Sequence, residues 1–259
     1  MRVGGEVVVV TGGAEGIGRA LCEKFQREGA RAVVVADRNA EGAAEVAASI
    51  GGIAMACDVA HEPDIVRLVE ETESRVGPIR LFCSNAGISG FGGSRDNAAS
   101  APNEAWERGF GVNVMAHIYA ARALLPRMIA RGGGHFLHTV SAAGLLTQVG
   151  NAVYATTKHA AIGFAEILAV THRDQGIRVS VLCPQAVRTA MTAGLDNGGV
   201  AGVDGMMEAE ELAEAVIKTL AEERFLCLPH EEVLTYMQRK SGDYDRWLKG
   251  MRRLHELYG

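Results

Sequence analysis

A run of four valines at residues 7–10 leads without a break into TGGAEGIG at 11–18, and no other stretch narrows the fold so far. Consecutive β-branched residues leave no polar face, so they suit a strand covered on both sides, as in a parallel sheet between layers of helices. The segment behind the glycines, 17–27, places Leu21 and Phe25 on one helical face and stops at Gly29. Strand, glycine turn and helix in that order make a phosphate-binding unit. Gly12 permits the tight turn, Gly16 lets backbone approach a pyrophosphate, and Gly18 lets helix pack on strand. The first helical N–H groups then face the anion.

The alternation continues to the end of the chain. Strands are predicted at 32–36, 52–57, 79–84, 135–140, 177–183 and 225–228, with helices at 41–50, 62–75, 104–131, 151–173 and 208–222. The long helix at 104–131 should kink at Pro126. No linker and no internal repeat interrupts the series. It therefore predicts a single doubly wound α/β domain over 1–259, with a seven-stranded parallel sheet and helices on both faces. The polar, glycine- and serine-rich stretch at 89–102 reads as a loop, and AMTAGLDNGGVAGVDGMM at 190–207 as a flexible lid over a site. The tail at 231–259 is charged and aromatic, and is predicted to be helical and to pack on the body or on another subunit.

Composition closes off several functions. With 48% hydrophobic and 22% charged residues the chain is ordinary for a globular protein, and a net charge of −5 gives no footprint for nucleic acid or an anionic membrane. No stretch reaches the roughly 20 apolar residues of a membrane span. The N-terminal apolar run is too short for a signal peptide, so a cytoplasmic location is expected. The five cysteines form no CxxC, and four lie in or beside apolar, strand-like runs, which predicts buried reduced thiols. His135 and His138 lack ligand-like neighbours, and no metal site is predicted.

Asp37 ends the second strand nineteen residues past Gly18, the distance expected of an acid that binds an adenosine ribose. A carboxylate there repels a 2′-phosphate and predicts NAD, while Arg38 beside it keeps NADP open. Tyr154 and Lys158 are four apart, so the helix at 151–173 projects both from one face. A cation beside a phenol favours phenolate, lowering a pKa that starts near about 10 and giving a usable proton donor and acceptor. Ser141 lies thirteen residues before Tyr154, where a short loop can return its hydroxyl toward the phenol. Asn113 is a poor residue for a helix interior and should bind water or disrupt the helix locally.

Thr11-Gly-x-x-x-Gly16-x-Gly18, Asp37, Asp58-Val59, Asn85-Ala86-Gly87, Asn113, Ser141, Tyr154-x-x-x-Lys158 and the stretch from Pro184 to Thr189 stand in an order and spacing that resemble the short-chain dehydrogenase/reductases over nearly the whole chain. The resemblance implies that Tyr154 is the general acid/base, that Ser141 polarises the substrate oxygen, and that Lys158 holds the nicotinamide ribose and depresses the phenol pKa. Asn113 would hold a water linking Lys158 to solvent. Thr189 and Val187 would contact the nicotinamide carboxamide, with Asp58 and Val59 at the adenine. Glu15, Ile17, Asn85, Ala86, Gly87 and Pro184 would line the cofactor cleft. One departure stands out: the family usually has Pro-Gly after the sixth strand, and here it is Pro184-Gln185, which places an amide at the pocket.

The expected activity is NAD-dependent interconversion of a secondary alcohol and a ketone on a small hydrophobic or alicyclic molecule. Ala143, Leu146, Gln148, Gln185, Met191, Met206 and Met207 are the candidate pocket residues beside Ser141 and Tyr154. The alternatives are an NADPH-dependent ketoacyl-thioester reductase, against which Glu15 and Asp37 speak, and a non-catalytic nucleotide-binding scaffold. A homodimer or homotetramer is expected, with Ala116, Ala120, Ala160, Phe164 and Leu168 as the outward seam of the two long helices.

Overall fold

The structure, a computed structural model, describes residues 1–258, and of Asp196 the backbone alone; Gly259, the last residue of the predicted tail, lies outside the described residues. Seven strands run β1 Val7–Thr11, β2 Ala32–Asp37, β3 Ile53–Ala56, β4 Ile79–Ser84, β5 Gly134–Thr139, β6 Ile177–Leu182 and β7 Leu226–Cys227. The helices are α1 Gly16–Arg27, α2 Ala40–Ile50, α3 Glu62–Arg75, α4 Asn103–Phe110, α5 Ala116–Ala130, α6 Ala152–His172, α7 Ala209–Glu222, α8 Glu232–Gly242 and α9 Tyr244–Tyr258. All strands pair in parallel in the order β3-β2-β1-β4-β5-β6-β7, so the order reverses between β1 and β4.

The valines of β1 show why the chain layers this way. Val7 and Val9 join the core beneath α3, α5 and α6, whereas Val8 and Val10 join the core beneath α1, α2 and α7. Successive strand residues face opposite sides, so a strand with helices on both faces needs apolar residues at every position. Each such valine, fully buried, contributes roughly 1.5–3 kcal/mol of transfer free energy. The edge strands β3 and β7 are shorter than predicted at 52–57 and 225–228, because pairing on one side only sustains fewer residues.

The predicted helix at 104–131 is divided, but not where Pro126 stands. α5 runs through Pro126, its buried stripe of Ala120, Leu124 and Met128 continuing on both sides. The interruption lies at Gly111–Met115, a π-helical turn with the buried Asn113 at its centre. All five cysteines are free and buried, and burial pushes the Cys22, Cys57 and Cys183 thiols up to about 12. Among the described residues no helix is long and apolar enough to cross a membrane.

Three of the five predicted seam residues face the wrong way for a subunit interface. Ala116, Ala120 and Leu168 are at most 5% exposed and belong to the core under β4–β6, and Phe164 packs partly against it. The outward apolar residues of α6 are instead Ile167 and Val170, at 58% and 78% exposure.

Candidate active site

The strand ends at the β1/β4 reversal are stapled together before any ligand is considered. The Thr11 hydroxyl accepts from the backbone N–H groups of Asn85 (3.0 Å) and Ala86 (3.2 Å), and the Asn85 amide donates to the Thr11 carbonyl (3.0 Å). Gly12 turns at φ +65°, and a Cβ there would lie 2.8 Å from Ala86 Cα. A Cβ on Gly18 would collide with the Gly12 carbonyl, which is how closely α1 lies on the turn. Asp37 spans β2 and the turn, its Oδ2 accepting from Ala14 N (3.1 Å) and its Oδ1 from Asn39 N (2.9 Å).

Together these ends form a cleft of about 340 Å³, and every residue predicted to bind cofactor lines it, from Gly12 and Glu15 to Val187 and Thr189. The cleft fits a dinucleotide on chemical grounds. Glycine backbone and the N-terminus of α1 offer a cradle for phosphates, and each Asp37 oxygen keeps a lone pair for a hydroxyl.

The Tyr154–Lys158 pair sits at the start of α6, where Asn151 caps the helix by accepting from Tyr154 N at 3.1 Å. Lys158, 3% exposed, donates to the Thr139 carbonyl at 3.4 Å and lies 5.4 Å from the centre of the Tyr154 ring. Burial pushes its ammonium down to about 8. The Tyr154 phenol also departs from its ordinary value, upward, because burial outweighs the opposing pull of the Ser141 hydroxyl. The predicted lowering of the phenol by Lys158 is therefore not what the surroundings of Tyr154 produce. A cation that burial discharges above about pH 8 lends little field to its neighbour.

Asn113 is fixed from three directions. Its Oδ1 accepts from Ile88 N (2.9 Å), and its Nδ2 donates to the Ile88 carbonyl (3.0 Å) and to Thr157 Oγ1 (3.2 Å). A Cβ built on Gly87 would stand 3.4 Å from Lys158 Nζ and 3.5 Å from Asn113 Oδ1, so both groups border one small gap. Thr157, Thr139 and Ile88 thus position the predicted residues but were not singled out in the sequence. The only signal for Thr157 was its place one residue before Lys158.

Ser141, Gln148 and Gln185 line both the cleft and a second, larger cavity of about 1010 Å³. Ala143 and Leu146 line this cavity as predicted. The three methionines do not. Met191 borders the cofactor cleft and is 48% exposed, Met207 pairs with Val187 in an isolated bridge against the core, and Met206 packs near Gly198 with Arg188 at its sulfur. Gln185 donates from Nε2 to Asp204 Oδ2 (2.9 Å), and the other Asp204 oxygen accepts from the Tyr236 hydroxyl (2.9 Å). The Nε2 of the amide expected to serve the substrate is thus held by the 190–207 segment, which Asp204 in turn ties to α8, and its buried Oε1 has no partner among the described residues. The remaining wall comes from the tail: Tyr236 and Arg239 of α8, and Arg246, Trp247, Met251 and Leu254 of α9. The sequence predicted only that the tail packs on the body or on another subunit; Trp247, Met251 and Leu254 are half-buried at this cavity.

Comparison with known proteins agrees with this arrangement. Residues 6–198 match the family model described as short chain dehydrogenase. The chain is 37% identical over 231 residues to the 1-deoxy-11-beta-hydroxypentalenate dehydrogenase of Streptomyces exfoliatus, covering 87% of this chain and 83% of the relative. It is 32% identical over 238 residues to human epidermal retinol dehydrogenase 2, covering 88% and 75%. A short chain dehydrogenase/reductase from Burkholderia phymatum, solved in complex with NAD, superposes with a TM-score of 0.83 at 26% identity, covering 95% of this chain and 96% of that one. Sheet order, glycine turn, Ser-Tyr-Lys cluster and these matches lead to one conclusion: the chain belongs to the short-chain dehydrogenase/reductase family, oxidoreductases that work with a nicotinamide cofactor.

Proposed function

We propose that the chain is an NAD-dependent dehydrogenase that interconverts a secondary alcohol and a ketone on an apolar body. The observation that carries this reading is the shared wall. Ser141 lines both the cofactor cleft and the larger cavity, and Tyr154 and Lys158 line the cleft beside it. The relatives act, by name, on a hydroxypentalenate and on retinol, both alcohols.

Tyr154 takes the hydroxyl proton of the alcohol in oxidation and returns it in reduction. Ser141 donates a hydrogen bond to the same oxygen and fixes its position. Bound nicotinamide supplies the hydride acceptor for the carbinol carbon. Lys158 holds the ribose next to it, and Asn113, which keeps one lone pair on Oδ1, holds a water at the gap beside Gly87 to pass protons onward. Asp37 selects NAD by its charge, with Arg38 exposed at the same rim. Self-association uses the outward apolar residues Ile167 and Val170 of α6 in place of Ala116, Ala120 and Leu168; a monomer mass by light scattering at micromolar concentration would count against it.

A panel of secondary alcohols incubated with NAD, read as NADH absorbance, tests the reaction. Turnover that is lost in Tyr154→Phe supports it. Turnover unchanged in that variant would remove the assignment of the acid/base.

A further inference from the structure

The larger cavity is apolar within and cationic at its edge. Leu146 stands near Ser141, Val200 and Val203 come from the 190–207 segment, and Trp247 and Met251 close the other side. Beside this apolar lining stand three guanidinium groups, Arg239 of α8 and Arg246 and Arg253 of α9. Arg246 and Arg253 are seven apart, two helical turns, so they share one side of α9, next to the face that carries Trp247 and Leu254.

The chain carries a net charge of −5, and several of its arginines sit on carboxylates, among them Arg67 on Asp64, Arg131 on Glu73 and Arg178 on Glu223. Among the described residues none of the three cavity arginines makes such a pair. The cavity does contain two carboxylates, and both are engaged. Asp204 accepts from Gln185 and Tyr236, and Asp243 caps α9 by accepting from Arg246 N at 2.9 Å. Lys240 adds a further positive charge behind the wall, donating to the carbonyls of Leu145 (2.8 Å) and Leu146 (3.0 Å). A concave, largely apolar site with a few convergent charges reads as selective for a ligand of matching polarity. Guanidinium is the side chain best shaped for a carboxylate.

We propose that the substrate is an amphiphilic acid: a secondary alcohol or ketone at one end of an apolar body, and a carboxylate at the other end held by Arg246 and Arg253. This rests on the dehydrogenase reading above and names its substrate class. The arginines line the same cavity as Trp247 and Met251, which puts the anion on the molecule whose apolar body lies against those side chains.

The test uses (ω−1)-hydroxy fatty acids from hydroxyhexanoate to hydroxytetradecanoate, each beside its methyl ester and its coenzyme A thioester, with NAD. For the best chain length kcat/KM should favour the free acid over the ester by at least about tenfold, mostly through KM, with the preference shrinking as salt rises. In Arg246→Glu/Arg253→Glu the acid-to-ester ratio should fall to about one or below. Arg246→Gln/Arg253→Gln serves if the first variant is poorly folded. Esters turned over as well as acids, or thioesters preferred to both, would overturn the proposal while leaving the dehydrogenase reading intact. Calorimetric titration with dodecanoate separates the opposite case. If no alcohol is oxidised but dodecanoate binds, and the double variant abolishes that binding, the reaction assignment fails and the anion site stands.

Discussion

The two sides of the active cleft are built from different materials. The cofactor side consists of backbone: glycine turns at the ends of β1 and β4, tied by Thr11, Asn85 and Asp37 through bonds that need no ligand. The substrate side consists of side chains delivered by segments far apart in sequence, at 141–148, 185, 200–204 and 236–254. A site made of backbone tolerates few sequences, because a single Cβ at Gly18 meets a carbonyl. A site made of side chains can be re-lined without touching the sheet. On the proposed reading, chemistry and cofactor belong to the rigid side, and selectivity to the side that is free to vary.

Substitutions on the two sides should differ in the size and kind of their effects. The largest effect should come from Tyr154→Phe, on the rigid side. It removes one hydroxyl, so kcat should fall by at least roughly 10²-fold with NAD affinity little changed, as measured by steady-state rates and cofactor titration. Loss of NAD binding alongside would mean that the tyrosine belongs to the scaffold.

Lys158→Met should show the rigid side holding an unstable group for the sake of its chemistry. Turnover and NAD binding should both weaken, yet the ligand-free fold should gain stability. The ammonium is pushed from 10.5 down to about 8, a burial cost on the order of 3 kcal/mol at neutral pH. Below about pH 8 the group is charged in both states and the cost is fully present; above 10.5 it is neutral in both and the cost is gone. Thermal unfolding at pH 7 should therefore shift up by about 5 °C or more in the variant, and the gain should shrink between pH 8 and 10.5. A variant less stable than wild type at pH 7 would contradict it.

Cofactor choice comes next. Asp37 should favour NAD over NADP by at least about tenfold in kcat/KM, since a phosphate beside a carboxylate costs more than about 1.4 kcal/mol. Equal efficiency would make Arg38 the phosphate's partner. The smallest effect belongs to the variable side. Asp204→Ala cuts both the Gln185 and the Tyr236 bond, and should raise the KM of the alcohol about threefold while the NAD affinity stays put. A change in NAD affinity of the same size would show that the two sides are coupled.

The same contrast governs how much could be read from the sequence. The valine run, the glycine spacing and the Tyr154–Lys158 interval are local patterns, and each specifies its geometry within a few residues. Asn113 was legible as a helix disturber because its preference conflicts with its neighbours. The pocket methionines and the seam residues were not legible, since both depend on the rotation of a segment against the body. α6 is apolar on nearly all sides, so nothing in its pattern tells inward Leu168 from outward Ile167. The bonds of Gln185 were equally hidden, because Asp204 reaches it only through the tertiary path of the 190–207 segment. The tail was legible as a packing helix, but the cavity it helps to wall was not.

The five enclosed thiols give the chain a built-in clock. With Cys83 at the sheet centre, Cys57 and Cys183 bordering the site and Cys227 on the edge strand, each can react with a thiol reagent only when its own neighbourhood opens. Labelling rates resolved by mass spectrometry would then rank the openings, from the fraying edge at Cys227 to whole-molecule unfolding at Cys83. Saturating NAD should slow Cys57 and Cys183 and leave Cys227 unaffected, reporting occupancy of the cleft without any substrate being known.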